Sequence, residues 1–168
     1  GKDLPGLVRV RELATHGGRP CLVSDFAGED TLEARWQAKP AFDLPAWADF
    51  LRAAAGILKT LELRGLCHQE IKPGNFHYAL SGKSGESGEW LLRDAVTQPL
   101  KTVMGNIFYA APELIRDGRQ DVRGDLYSLG ALAYHWAAGY PPFDGETPGQ
   151  LVQKHRETVP DPSQGLPA

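Results

Sequence analysis

The strongest hydrophobic pattern in the chain lies between residues 43 and 63, where apolar side chains recur every three or four positions. This spacing places them on one face of an α-helix. The face consists of Trp47, Phe50, Leu51, Ala54, Leu58 and Leu61. Asp43 can cap the N-terminus, Pro45 suits the first turn, and Gly65 follows the last one. The pattern therefore predicts one long helix with a single buried face.

A second apolar face predicts a helix from about Asp125 to residue 138. Its members are Leu126, Leu129, Leu132, Ala133 and Trp136. Gly139 and the Pro141-Pro142 pair end this helix, since proline has no backbone N–H to continue it. Shorter helices are predicted at 31–36 and 151–155.

Two pairs of short strands complete the pattern. Residues 7–13 and 21–26 are rich in β-forming side chains and flank Gly17-Gly18, which predicts a hairpin. Residues 76–80 and 89–93 form a second pair around a polar, glycine-rich loop. Helices and hairpins of this kind indicate an α+β fold.

Composition narrows the class of protein. The chain has 168 residues, 42% of them apolar, which is enough for one core. A net charge of −3 predicts no nucleic-acid partner, and there is no apolar run long enough for a membrane segment. Two cysteines are too few for a disulfide framework, which favours a reducing, cytoplasmic setting. The chain starts at Gly1 without an initiator Met, which predicts a fragment of a longer protein.

The segment with the clearest chemistry follows the first long helix: His68-Gln69-Glu70-Ile71-Lys72-Pro73-Gly74-Asn75-Phe76. The Glu70 carboxylate can orient a hydroxyl group, and Lys72 can offset charge on a phosphoryl group. The Asn75 amide oxygen can hold Mg²⁺. Taken alone, the segment suits phosphoryl transfer, with an ordinary polar loop as the alternative.

The same segment resembles the catalytic loop of Ser/Thr protein kinases, H-R-D-L/I-K-P-x-N, and four further motifs follow in the order of that family. Asp94-Ala95-Val96 resembles D-F-G, residues 105–113 resemble G-T-x-x-Y-x-A-P-E, residues 125–130 resemble D-x-Y-S-L-G, and residues 139–143 resemble G-x-x-P-F. The residues of these motifs are most similar to those of the bacterial, eukaryotic-type members of the family.

This resemblance implies a protein kinase-like fold of the α+β class. Residues 1–168 would form a partial kinase domain with a mainly α-helical C-lobe and a two-strand remnant of the N-lobe. Residues 1–28 would be the last N-lobe strands and the hinge. Residues 29–168 would be a C-lobe that stops before its last helices.

The resemblance also implies a nucleotide site for ATP and Mg²⁺. The hinge at Asp25 to Ala27 would bind adenine through backbone groups, with Ser24 as a small gatekeeper and Asp30 just beyond. Asn75 and Asp94 would bind the metal.

Three further residues would have structural roles under the same resemblance. His68 would pack beneath the catalytic loop. Asp125 would hold the backbone of that loop, and it could also cap its own helix. Glu113 would pair in the family with an arginine that lies beyond residue 168.

Several positions depart from the family pattern. Nothing in the chain matches the glycine-rich loop or the strand lysine that grip the phosphates. Glu70 replaces the catalytic aspartate, and one extra methylene moves the carboxylate by roughly 1.5 Å. Gln69 replaces the arginine that receives an activating phosphate. Ala95 and Val96 replace Phe-Gly, and Asn106 replaces a threonine.

These departures predict that phosphoryl transfer to protein hydroxyls is weak or lost, even in the intact parent protein. Two alternatives remain at this point. The chain could be a pseudokinase that binds nucleotide or only docks a protein partner. It could also be a small-molecule phosphotransferase of kinase-like fold, although the motifs at 105–113 and 125–130 argue against that.

Overall fold

The computed structural model describes residues 4–38, 41–81, 87–93, 107–118, 121–145 and 147–160. Its strands are β1 (Val10–His16), β2 (Arg19–Ser24), β3 (Phe76–Ser81) and β4 (Ser87–Leu92). Its helices are α1 (Leu32–Gln37), α2 (Leu44–Glu62), α3 (Pro112–Asp117), α4 (Val122–Ala138) and α5 (Pro148–Glu157), with a 3₁₀ turn at Pro73–Asn75. The predicted α+β class is confirmed.

Helix α2 matches the prediction from its apolar spacing. The Asp43 side chain accepts a hydrogen bond from the Ala46 N–H at 3.2 Å and so caps the helix. The predicted core positions Phe50, Ala54, Leu58 and Leu61 are all buried. Beyond the helix, Gly65 adopts a φ of 66°, which glycine reaches without the steric cost of a side chain.

Helix α4 begins earlier than predicted. The side chain of Asp121 accepts a hydrogen bond from the Arg123 N–H at 2.9 Å, which makes Asp121 the N-cap. The helix therefore starts at Val122, and Asp125 lies inside its first turn. The predicted start near Asp125, with Asp125 as a cap, was wrong. The predicted end is confirmed, because Gly139 caps the C-terminus with a φ of 82°.

The core forms where α2 crosses α4 and the second hairpin. Phe50 of α2 is fully buried at its centre. The Phe50 ring meets Phe76 and Trp90 edge-on, with centroids 5.0 and 4.9 Å apart, and lies 5.2 Å from Trp136 of α4. Such edge-to-face pairs stabilise a core beyond the area that they bury. One aromatic cluster therefore joins α2, β3, β4 and α4.

Each pair of strands forms an antiparallel hairpin, as predicted. The first hairpin, however, runs over β1 and β2 rather than beginning at residue 7. Leu7 instead bridges Leu92 in parallel, and the Val8 N–H donates to the Leu92 carbonyl at 3.0 Å. The segment before β1 therefore serves as a second neighbour, beside β3, for the end of β4. The predicted strand at 7–13 was wrong in its first three residues.

Two smaller predictions about helices are also settled. The helix predicted at 151–155 is longer, because Thr147 and Gln150 form a capping box that starts α5 at Pro148. None of the helices within the described ranges combines the length and the apolar character needed to cross a bilayer.

Two histidines, His155 buried and His135 half-buried, make stability depend on pH. The Nδ1 atoms of His135 and His155 lie 2.8 Å from the hydroxyl oxygens of Tyr109 and Tyr127, respectively. Burial lowers the pKa of both imidazoles. The folded chain therefore keeps both rings neutral, while the unfolded chain takes up protons near the ordinary value of about 6.5.

We expect the free energy of unfolding to be fully present above about pH 6.5 and to fall as the pH drops through that value. Each histidine can contribute a slope of up to ~1.4 kcal/mol per pH unit. Urea unfolding measured between about pH 7.5 and pH 5.5 checks this. The double variant His135→Gln, His155→Gln should flatten the slope. The control His16→Gln, at an exposed position of the first hairpin, should not. An unchanged slope in the double variant would contradict the assignment.

Candidate active site

The loop between α2 and β3 is anchored to α4 by the carboxylate of Asp125. Asp125 is completely buried, and its two oxygens accept hydrogen bonds from the backbone N–H groups of His68 and Gln69, at 2.5 and 2.7 Å. The His68 donor is buried and the Gln69 donor is part-buried, so an internal acceptor stabilises both. Asp125 therefore fixes the position of the loop relative to the central helix.

The Asp125 contact also stabilises an unusual backbone conformation. Gln69 has a φ of 67°, and it is the one non-glycine residue with a positive φ in the described part of the chain. This conformation costs an ordinary residue on the order of 1 kcal/mol. The two hydrogen bonds to Asp125 offset that cost and turn the chain so that Glu70 follows directly.

The His68 ring connects the same loop to the end of β4 through two hydrogen bonds. It is fully buried, and its Nδ1 accepts a hydrogen bond from the Glu70 N–H at 3.2 Å. Its Nε2 lies 2.8 Å from the carbonyl oxygen of Arg93. Because Nδ1 accepts, Nε2 must carry the proton and donate to Arg93. His68 thus ties the loop to the end of β4.

Three of the predicted catalytic residues lie together. The ammonium group of Lys72 is 2.5 Å from Oε1 of Glu70, and their side chains are 33% and 21% exposed. The Asn75 Nδ2 donates to the Glu70 carbonyl at 3.0 Å. The site therefore presents a half-exposed carboxylate and ammonium next to a buried amide.

The Asn75 amide is suited to a cation. Asn75 is 1% exposed, and its Oδ1 has no hydrogen-bond partner among the described residues. A buried amide oxygen without a donor is costly, and a bound cation would satisfy it. No group of three or more His, Cys, Asp or Glu side chains in the described ranges could hold a metal. A cation at Asn75 would thus need further ligands, and Mg²⁺ commonly takes such ligands from phosphate oxygens.

The residues that follow the predicted hinge lie alongside β3. The carbonyl of Gly28 is 2.9 Å from Nδ1 of His77, and the carbonyl of Asp30 accepts from the Tyr78 N–H at 2.8 Å. Both bonded residues belong to β3, which starts at the residue after Asn75. The residues just after the hinge are therefore anchored beside the catalytic loop.

The predicted nucleotide-contacting side chains have varied surroundings. Ser24 is exposed at the end of β2, and Ala27 is buried. The Asp25 carboxylate pairs with Arg11. The Asp30 carboxylate makes two hydrogen bonds of 2.7 Å to Arg35, which lower the pKa of Asp30 and direct its charge toward α1.

Sequence reasoning missed one neighbour of the loop. A Cβ built on Gly74 would lie 2.8 Å from Oε2 of Glu33, so the first turn of α1 presents a carboxylate to the catalytic loop. The feature of the sequence that could have indicated this neighbour is Gly74, which stands between Lys72 and Asn75. Because glycine has no side chain, it leaves room for the Glu33 carboxylate.

The remaining predicted residues lie elsewhere. Glu113 is half-buried in the first turn of α3. Burial, with a smaller contribution from the Glu113 carboxylate, raises the pKa of Tyr127 to about 12. Asp94, the second predicted metal ligand, lies outside the described residues, as do Ala95, Val96 and Asn106.

Replacing Asp125 by alanine should destabilise the chain strongly, because it leaves one buried and one part-buried N–H donor without their acceptor. We expect a loss of roughly 2–5 kcal/mol in the free energy of unfolding and faster hydrogen exchange of the His68 and Gln69 amides. The matched control is Asp121→Ala, which removes an exposed helix cap and an exposed ion pair with Arg123 and should cost about 1 kcal/mol. Equal losses in the two variants, measured by urea unfolding, would refute the anchoring role of Asp125.

Comparison with known proteins identifies the family of this chain. Residues 2–164 match the family model described as the protein kinase domain. The chain is 28% identical to the serine/threonine-protein kinase PkaB of Streptomyces coelicolor, over 99% of this chain and 43% of PkaB. It is 32% identical to the DNA damage-responsive serine/threonine-protein kinase RqkA of Deinococcus radiodurans, over 98% of this chain and 26% of RqkA.

A third relative, the serine/threonine-protein kinase pkn2 of Myxococcus xanthus, is 29% identical over 94% of this chain and 20% of its own length. The chain therefore spans less than half of each of these relatives. The family model covers almost all of the chain, and the predicted fold and family are confirmed. The chain belongs to the protein kinase family, as a serine/threonine kinase-like domain of the bacterial, eukaryotic-type group.

Proposed function

We propose that this chain binds Mg²⁺-ATP and presents protein serine or threonine hydroxyls for phosphoryl transfer, at a rate lowered by Glu70. The observation that carries the proposal is the cluster at the catalytic loop. A buried Asn75 Oδ1, for which the described residues supply no hydrogen-bond partner, lies next to the Glu70–Lys72 pair. In the protein kinase family, these positions serve the metal, the substrate hydroxyl and the transferred phosphoryl group.

Each residue of the cluster has a role in this proposal. Asn75 would hold Mg²⁺ through Oδ1, because its Nδ2 is already committed to the Glu70 carbonyl. Magnesium, when bound, neutralises charge on the phosphates. Lys72 would offset charge on the transferred group, and Glu70 would accept a hydrogen bond from the substrate hydroxyl. Adenine would lie against the hinge at residues 25–27.

The role of Asp94 as second ligand is supported by the residue before it. The Arg93 N–H donates to the Asn75 carbonyl at 2.9 Å, and His68 contacts the Arg93 carbonyl. Asp94 follows Arg93 directly, and consecutive Cα atoms are about 3.8 Å apart. Arg93 therefore lies beside Asn75, and Asp94 is the next residue in the sequence.

Glu70 is the reason to expect slow transfer. Its longer side chain moves the carboxylate, and misplacement by about 1 Å can cost on the order of a hundredfold in rate. Protein substrates and a cytoplasmic setting belong to the same proposal, supported by the family and by two cysteines that form no disulfide with each other.

Mg²⁺-ATP should raise the melting temperature of the intact protein, since a ligand that binds only the folded state stabilises it. At about a hundred times Kd the gain is roughly 2.7 kcal/mol, or some 5 °C or more. Asn75→Ala and Asp94→Asn should each remove most of the shift. The control Asp49→Asn, on the exposed face of α2, should keep it. An unchanged melting curve for the unmodified protein would exclude nucleotide binding.

Glu70→Asp should increase the rate of γ-phosphate transfer by roughly tenfold to a hundredfold, because it restores the shorter carboxylate. Glu70→Gln, which keeps the length but loses the charge, should reduce transfer below that of the unmodified protein. Labelled ATP with separation of protein-bound from small-molecule products measures both. Nucleotide binding without transfer in either the unmodified protein or Glu70→Asp would favour a nucleotide-binding pseudokinase. Label in a small molecule would instead favour a small-molecule phosphotransferase.

A further inference from the structure

We propose that His155 is a pH-sensitive switch that keeps α5 attached to α4, so that α5 detaches at mildly acidic pH while the rest of the fold persists. Helix α5 has two buried side chains, Leu151 at 2% exposure and His155 at 5%. One of the two buried attachments of α5 can therefore take up a proton. The proposal is independent of nucleotide binding and of phosphoryl transfer.

The His155 ring contacts side chains of α4 and of the connection between α4 and α5. Its Nδ1 lies 2.8 Å from the hydroxyl oxygen of Tyr127, and the centroids of the two rings are 5.8 Å apart. Phe143, itself buried, meets the His155 ring edge-on with the centroids 4.8 Å apart. The ring therefore joins α5 to α4 by a hydrogen bond and to the connection by aromatic packing.

The surroundings of His155 favour a neutral ring. Burial lowers the pKa of His155, and a backbone contact with Ile107 partly opposes this effect. In the neutral ring Nδ1 can accept a hydrogen bond from the Tyr127 hydroxyl. Protonation places a hydrogen on both ring nitrogens, so the Tyr127 hydroxyl would have to turn from donor to acceptor. Among the described residues, Nε2 has no partner at hydrogen-bond distance and angle, so the charged ring is poorly satisfied.

Charged side chains on the neighbouring elements have smaller effects on the ring than burial has. Burial and, to a smaller extent, the Glu113 carboxylate of α3 raise the pKa of Tyr127, the hydrogen-bond partner of His155. The other charged side chains in the described parts of these elements are the pairs Arg116–Asp117, Arg123–Asp121 and Lys154–Asp144, the exposed Arg156 and Glu157, and Asp125, which binds the catalytic loop. Burial is the largest effect on His155 itself.

Helix α5 is too short to persist once it loses this attachment. It has ten residues, and isolated helices of fewer than about 12–15 residues are only marginally stable in water. The capping box of Thr147 and Gln150 supports its first turn alone. Detachment would uncover Leu151 and Phe143, which are both buried in the attached state.

The direction of the pH dependence follows from the two states of the helix. Detachment exposes the His155 ring to water, where the pKa of an imidazole is about 6.5. Since the pKa in the attached state is lower, the attachment is fully retained above about pH 6.5 and weakens as the pH falls through that value. One titrating group can change the opening equilibrium by up to about tenfold per pH unit.

Hydrogen exchange of the intact protein between about pH 7.5 and pH 5 tests the proposal, after correction for the intrinsic exchange rates. We expect the opening constant of the α5 amides to rise by up to about tenfold per pH unit below about pH 6.5. The Leu58 amide in the core of α2 reports unfolding of the whole chain and should open far less often. A pH-independent opening constant in α5, or one equal to that of Leu58 at every pH, would overturn the proposal.

Two histidine variants separate the switch from the pH dependence of global stability. His155→Gln should abolish the pH dependence of α5 opening, because the amide does not titrate in this range. The control His135→Gln removes a half-buried histidine of α4 and should leave the opening of α5 unchanged. An equal loss of the pH dependence in both variants would show that α5 opens only with the whole chain, which refutes the switch. If His155→Gln fails to fold, the slope of α5 in His135→Gln decides, and its loss there would likewise refute the switch.

Discussion

The structure depends on the contact between the Asp125 carboxylate and the backbone N–H groups of His68 and Gln69. A buried charge is expensive unless hydrogen bonds satisfy it, and here both oxygens are used. The contact joins the central helix to the loop, and it holds Gln69 in a conformation that an ordinary residue avoids. The catalytic loop is therefore a rigid extension of the helical core, because the position of Glu70 follows from that of α4.

The core and the loop reinforce each other through the strands. Phe76 follows the loop immediately and packs edge-on against Phe50 of α2. The Arg93 N–H, at the end of β4, returns to the Asn75 carbonyl. Because Asn75 lies between a buried aromatic cluster and two backbone hydrogen bonds, its side chain has little freedom. Loss of packing around Phe50 would thus disturb the amide proposed to hold the metal, although neither touches the other directly.

The sequence pattern correctly predicted those elements that depend on interactions between residues close together in the chain. The 3.6-residue period gave α2 and its core face, and Gly17-Gly18 gave the first hairpin. The start of α4 was misplaced because Asp121 and Asp125 are both good caps, and only the contact with the loop shows that Asp125 is needed elsewhere. Leu7 was misassigned for a similar reason, since its partner Leu92 is distant in sequence. At the site, the motif gave Glu70, Lys72 and Asn75, but not the neighbouring Glu33.

Glu70 illustrates why a motif alone does not determine a rate. The aspartate usual in the family is shorter, so Glu70 can curl back and reach Lys72, two residues along the chain. Both side chains are partly exposed, so solvent screens the pair and its net stabilisation is modest. In the proposed reaction, a substrate hydroxyl and a phosphoryl group would therefore compete for the two partners at little cost. The barrier that remains is geometric, since the carboxylate must lie where the hydroxyl needs it, and the backbone held by Asp125 leaves only the Glu70 side chain to adjust.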